Sequence, residues 1–207
     1  MQVRRTQEQR SAATQHALQT AARRLWGARG YADVGTPEIA EAAGVTRGAM
    51  YHQYADKTAL FVAVLESVEA EVMERLQAIV VAAQPSTPAE ALRIAADAWL
   101  DIASEPDVRR LLLLDAPNVL GWIRFREISQ RYAYGMTEQL LTAAIEAGEL
   151  DPLPVPTLAT VMIGALDEAA MCLAGEGDLA QNEADVRAVV HHLIDGILKL
   201  PEPQERT

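Results

Sequence analysis

A single cysteine, Cys172, stands in 207 residues. It excludes an internal disulfide and any cysteine-built metal centre, and it suits a reducing cytoplasm. Histidine is almost as scarce, with His16, His52, His191 and His192 the only four. They form no Glu-x-x-His pair and no His/Asp/Glu cluster of the kind an all-helical metal or carboxylate enzyme requires. Adjacent His191 and His192 point to different faces and lack the i, i+4 spacing of a metal pair. No segment alternates apolar and polar residues with the period of a strand, and no repeat or low-complexity tract occurs. The opening MQVRRTQEQRSAATQ has neither an apolar run nor a cleavage-like site, so no secretory leader is expected. The longest apolar stretch, Thr157 to Ala174, approaches membrane-spanning length. Asp167 and Glu168 interrupt it, and acids there are costly in lipid. A buried or dimer-forming helix is therefore expected, with no membrane partner, metal or cofactor.

Half of the residues are hydrophobic, which is ample for a full core, yet the chain carries a net charge of −11. That charge is polarised. Met1 to Thr58 holds eight Arg/Lys against five Asp/Glu, a net of +3, whereas the remainder holds ten against 24, a net of −14. A basic head on an acidic body presents one end to phosphate and is repelled elsewhere.

The apolar spacing is helical nearly throughout. A first helix is expected over Ser11 to Ala28, on the stripe Ala17, Leu18, Ala21, Ala22, Leu25 and Trp26. A second starts at Gly35 or Thr36 with Pro37 in its first turn, where a missing N–H has no consequence. A third runs from the N-cap Thr46 to about Tyr54. A long fourth helix follows the Asp56 cap to about Ala82, burying Leu60, Phe61, Val64, Leu65, Val68, Val72, Leu76 and Ile79. Thr87-Pro88-Ala89-Glu90 is a capping box opening a fifth helix that ends near Ala103. A short helix after Pro106 comes next. A long helix is then expected from Pro117 to Ala147 with Asp115 as its cap, closed at Gly148. Two more helices span about Thr157 to Ala174 and Asn182 to Leu200. The expectation is an all-α chain of about nine helices. A three-helix head occupies residues 1–58 and a larger helical body occupies residues 59–207.

The densest signal is Thr36 to Tyr54, TPEIAEAAGVTRGAMYHQY. Two short helices meet at a tight turn beginning at Gly44. Ala40, four residues earlier, lets the second helix cross close over the first. Val45 plugs the angle between them, and Ile39 and Met50 add inner apolar weight. This is the pattern of a helix-turn-helix, whose second helix lies in a DNA major groove. Over roughly Ala17 to Leu65 the order AARRLW, then GY, then IAEAAGVTRGAMYHQYADKTALF resembles the TetR/AcrR family of bacterial transcriptional regulators. The resemblance implies a homodimer with a DNA-binding head and an effector pocket in the body, its last two helices pairing with their mates. Three residues, at two places, depart from the family pattern. Gly35 stands where Ser or Thr is usual, and Gln53-Tyr54 replaces His-Phe.

For DNA contact the sequence offers Thr36, Thr46, Arg47, Gly48, Tyr51, His52 and Lys57. Thr46 sits at a helix N-terminus, where N–H groups and the dipole favour phosphate, although it is equally a plain N-cap. Arg47 reaches guanine O6/N7 or phosphate. Gly48 permits close approach of the backbone. Tyr51 and His52 match the family's Tyr-His pair, with hinge packing the structural alternative for Tyr51. Lys57 reaches toward backbone phosphate. Arg4, Arg5 and Arg10 suit a flexible minor-groove arm.

In the body, Trp99, Trp122, Phe125, Tyr132 and Met136 form an aromatic and methionine-lined side that spacing alone assigns to a core. The resemblance adds an effector-pocket reading. Glu168 or Asp167 is then either a counter-charge for a cationic ligand or an acid at the helix edge paired with an arginine such as Arg126 or Arg131. Val186, Val190, Leu193, Ile194 and Ile197 lie on the last helix and suit burial against a second subunit. The function expected is a cytoplasmic, ligand-responsive repressor released from a palindromic double-stranded DNA operator by a small molecule, and not an enzyme. The alternatives are an all-α enzyme, or a DNA-binding activator or architectural protein that senses nothing.

Overall fold

The computed structural model describes residues 7–173 and 179–198. It is helical along its length: α1 (Gln7–Arg29), α2 (Thr36–Ala42), α3 (Arg47–Gln53), α4 (Lys57–Ala83), α5 (Pro88–Ala103), α6 (Pro106–Val108), a π-helical stretch (Arg109–Asp115), α7 (Ala116–Leu120), α8 (Trp122–Glu146), α9 (Val155–Cys172) and α10 (Leu179–Ile197). Among the described residues the sole β pairing is an isolated bridge between Leu150 and Leu198. The chain forms two compact units. One takes Met1–Glu69 with Glu105–Arg126, and the other takes Ala70–Ser104 with Glu127–Thr207. The first unit thus runs past residue 58 into α4 and recruits a later segment through α6, the π stretch and α7.

Local chemistry sets the element ends. Thr46 accepts the Ala49 N–H at 3.1 Å and Asp56 accepts the Ala59 N–H at 2.7 Å, capping α3 and α4. Thr87 caps α5 through the Glu90 N–H, and Glu90 answers by accepting from the Ser86 N–H at 2.7 Å, one residue outside the usual box. Helix α1 begins at least four residues before the expected start. Its first turns are polar and carry no apolar stripe, so periodicity does not announce them. Arg10 is therefore helical and not part of a flexible arm, while Arg4 and Arg5 lie outside the described residues. The helix expected from Pro117 to Ala147 is broken at Gly121, whose φ of +76° ends α7 before α8 restarts at Trp122.

In the first unit, α1 packs on α2, α3, α6 and the π stretch. The core is Leu18, Trp26, Ile39, Met50, Leu60, Phe61 and Leu111, all fully buried. Side chains of this kind contribute about 1.5–3 kcal/mol each on burial. Trp26, Tyr31 and Phe61 meet with ring centroids 5.0–5.5 Å apart. Gly27 lets α1 approach residues of α6 closely, because a Cβ there would stand 2.7 Å from the Asp107 Cβ.

In the second unit α5, α9 and α10 pack on one another. Arg187 bridges Asp97, Asp101 and Glu183; His191 bonds Asp97 at 2.9 Å; and Arg93 pairs with Asp195. These contacts set the rotation of α10 and correct the expected dimer surface. Val190 and Ile194 face inward, each 4% exposed, and Val186 and Ile197 are half-buried. The outward apolar residues are Leu193 at 56% and Val189 at 59%, joined on α9 by Val161 at 63%. Helix α9 is long and apolar enough by composition to cross a membrane, yet only Ala159 and Ala170 on it are buried. On α4, Ile79, expected in the buried stripe, is exposed, and Glu69 is buried.

Candidate nucleic-acid interface

The helix-turn-helix is built as its spacing implies. Gly44 has φ +68°, and Val45 N–H reaches back to the Ala40 carbonyl at 2.9 Å, reversing the chain within three residues. Buried Met50 and Ile39 anchor α3 and α2 beneath the turn. The end of α3 is fastened to α1 by two of the three residues that depart from the family pattern. Ser11 Oγ donates to Gln53 at 2.9 Å and Gln19 Nε2 donates to the Tyr54 hydroxyl at 2.8 Å. Arg29 ties α1 to α2 through Glu38 and the Asp33 carbonyl.

One face of α3 is left to solvent. Thr46, Arg47, Gly48, Tyr51 and His52 are all exposed, Tyr51 by 42%. The Arg47 guanidinium lies 5.6 Å from the Tyr51 ring centroid, and the Tyr51 hydroxyl is 3.2 Å from Thr36 Oγ1. Hydrogen bonding from Thr36, then from Arg47, lowers the Tyr51 phenol below its ordinary value. Thr36 does not cap α2: Gly35 is the cap residue, with no side-chain bond. Being 8% exposed and bonded to Tyr51, Thr36 orients the tyrosine and is poorly placed to meet a duplex itself.

Lys57 is half-buried. Its Nζ donates to the Tyr31 carbonyl at 2.6 Å and lies 3.9 Å from the Tyr31 ring centroid. Burial pulls its ammonium below the usual lysine range, and the charges of Asp115 and Asp33 oppose that. Asp115 is not a helix cap. Its Oδ2 accepts the Tyr31 N–H at 2.8 Å. Burial raises its carboxyl, outweighing the Tyr31 bond and the charges of Arg110 and Lys57. Sequence reading misses this pairing, because the partners lie 84 residues apart and no local pattern marks them.

The sign of the Asp115 shift gives an expected outcome. A raised folded-state value means that the native state holds this proton more tightly than the unfolded chain, so ionised Asp115 is a liability above the raised value. Asp115→Asn should be at least as stable as the parent near neutrality. That margin should shrink as pH falls through the raised value and disappear below the ordinary aspartate range, where the group is protonated in both states. Urea unfolding at the two pH values checks it; a variant markedly less stable near neutrality contradicts it.

The residues expected around an effector fall in both units. Trp99, Tyr132, Met136 and Glu168 belong to the second and Trp122 and Phe125 to the first. Trp99, Tyr132 and Met136 are half-buried and Glu168 is exposed. Trp122 is exposed under Arg126, and its ring lies tilted against that of buried Phe125 with centroids 5.9 Å apart. The Trp99 indole N–H is buried and meets no acceptor among the described residues.

Residues 18–64 match the profile of bacterial regulatory proteins of the tetR family, and residues 89–197 match the tetracyclin repressor-like C-terminal domain. The chain belongs to the TetR family. It is 32% identical over 151 residues to the HTH-type transcriptional regulator AcrR of Shigella flexneri, covering 70% of this chain and 69% of that one. A TetR-family transcriptional regulator from Pectobacterium atrosepticum superposes with TM-score 0.79 at 34% identity, over 96% of this chain and all of that one. RolR in complex with resorcinol shares the fold, with TM-score 0.72 at 20% identity over 96% and 99% of the two chains. The protein is a DNA-binding transcriptional regulator of this family, whose members bind operators and typically act as dimers.

Proposed function

We propose that this TetR-family chain is a cytoplasmic homodimeric repressor that releases a palindromic operator on binding a small molecule. The observation that carries the reading is the solvent face of α3, where Thr46, Arg47, Gly48, Tyr51 and His52 stand together above a buried anchor. Thr46 brings the helix N-terminus to phosphate, Arg47 reads a base edge, Tyr51 and His52 hold the backbone, and Lys57 adds a cation. Two-fold symmetry sets two such helices about one duplex turn apart. The outward apolar residues Val161, Val189 and Leu193 make α9 and α10 the surface for the second copy. Asp167 and Glu168 on α9 favour that partner over lipid.

An effector site in the second unit is supported by the buried, unaccepted Trp99 N–H. Such a group costs about 1–3 kcal/mol unless satisfied, and a ligand oxygen would satisfy it. RolR, with resorcinol bound, is a relative in fold that holds a small phenol. Helix α4 contributes to both units, so the chain itself connects effector and head. The effector acts by favouring one of two packings.

The test is selection of bound duplexes from a random library, repeated with a panel of small aromatic and cationic compounds. Enriched palindromes, lost when one compound is present, are expected. The logarithm of the affinity should fall linearly with the logarithm of salt concentration, with a slope of about −0.9 per phosphate contact. A flat salt response, or enrichment of no duplex, counts decisively against the assignment. Tight binding that no compound relieves leaves a regulator without an effector.

A further inference from the structure

Every polar atom of Tyr31 is engaged, one with the end of the π-helical stretch and two with the first turn of α4. Its N–H donates to Asp115 Oδ2 at 2.8 Å, its carbonyl accepts from Lys57 Nζ at 2.6 Å, and its hydroxyl pairs with Thr58 Oγ1 at 3.1 Å. The ring packs against Trp26, Phe61 and the Lys57 ammonium. Asp115 is the last residue of the π-helical stretch, a rare conformation that recurs at functional positions. The segment running from α6 through that stretch is seated against the C-terminal half of α1 and the glycine that follows it. Arg23 pairs with Asp107 at 3.2 Å beside the close approach at Gly27, and Arg110 lies with Asp115 against Gly30. Asp115 does nothing for its own helix, since α7 receives no side-chain cap from it.

We propose that Asp115 is a positioning residue for DNA binding: by holding the Tyr31 N–H it fixes the Tyr31 carbonyl and ring, and these fix the Lys57 ammonium where it meets duplex phosphate. The proposal rests on Lys57 as a phosphate contact in the reading above. An ammonium has three N–H donors; the Tyr31 carbonyl takes one and the ring faces the group, which leaves at least one for phosphate. A lysine held in place before encounter loses less rotamer entropy on binding than a free one.

The proposal opposes what charge alone dictates. Asp115 is an acid within the DNA-binding unit, so removing it should strengthen duplex binding if only the long-range field mattered. Positioning requires the reverse. The test measures affinity for the duplex that the wild-type chain enriches, using Asp115→Ala, Lys57→Gln and the double variant. Asp115→Ala should weaken binding about two- to ten-fold. It should also reduce the salt slope by about one, as Lys57→Gln does. In the Lys57→Gln background the same substitution should no longer weaken binding, since a residue acting through Lys57 has no route left. Asp115→Asn keeps an oxygen acceptor and should bind at least as tightly as the wild type. Should the alanine variant fail to fold, Asp115→Glu enters the cycle, retaining the charge but displacing the acceptor by one methylene. Affinity equal to or above wild type for the displaced or deleted acceptor overturns the proposal, as do losses that add in the double variant. A wild-type chain that enriches no duplex instead overturns the DNA-contact reading, and the proposal with it.

Discussion

Leu193→Asp is expected to give a folded monomer that has lost tight operator binding. Leu193 is 56% exposed in the single chain, alongside Val189 and Val161, so a carboxylate there meets water in the monomer. Surface substitutions of that kind change stability by roughly 0.5 kcal/mol or less. Against a second copy the same carboxylate is buried without a partner, which costs several kcal/mol and dissociates the pair. The effect on DNA is larger than that on assembly. In a dimer the second head binds a duplex already held by the first, and losing that intramolecular step costs on the order of 10²–10⁴-fold in affinity. Val190→Asp, one helical position round from Val189, is the informative contrast. Val190 is 4% exposed inside its own subunit, so its substitution should unfold the second unit and not merely split the dimer. Sedimentation equilibrium with circular dichroism separates the two outcomes; a dimeric Leu193→Asp protein removes α9 and α10 as the interface.

The contrast between neighbouring residues shows what a sequence can and cannot carry. The head was legible because its signals are local. Pro37, Gly44, Thr46 and Asp56 each act within four residues of themselves, and the structure places each at the turn or cap its chemistry implies. The last helix was legible as apolar but not in rotation. Its valines, leucine and isoleucines spread over an arc broader than one packed stripe, and only Arg187, His191 and Asp195, paired with α5, decide which part of it turns inward. The partners on α5 lie at least 86 residues away, beyond any periodicity. The same limit hides Asp115. Read locally, Asp-Ala-Pro is a helix start, but a tertiary hydrogen bond to Tyr31 and a π-helical backbone displace that reading. Gln53 and Tyr54, which only look like departures from a family pattern, acquire a reason once Ser11 and Gln19 are seen to hold them.

Arg47→Ala should weaken operator binding by about 1–3 kcal/mol and relax base preference at one position in each half-site. Both effects follow from placement. Arg47 is the first residue of α3, exposed, with its guanidinium held 5.6 Å from the Tyr51 ring centroid. An exposed contact of this kind is worth about 0.5–1 kcal/mol, enough to bias the guanidinium before DNA arrives. Tyr51 carries two separable roles, and conservative changes divide them. Tyr51→Phe keeps the ring beneath Arg47 but loses the hydroxyl bonded to Thr36. It should weaken binding to all enriched sequences alike, as a lost phosphate contact does, and leave base preference intact. Tyr51→Ala removes the ring as well, so it should weaken binding further and blur the Arg47 position. Sequencing the duplexes enriched by each variant supplies the readout. If Arg47→Ala lowers affinity uniformly and the base profile stays sharp, Arg47 is a phosphate contact, and base reading belongs elsewhere on α3.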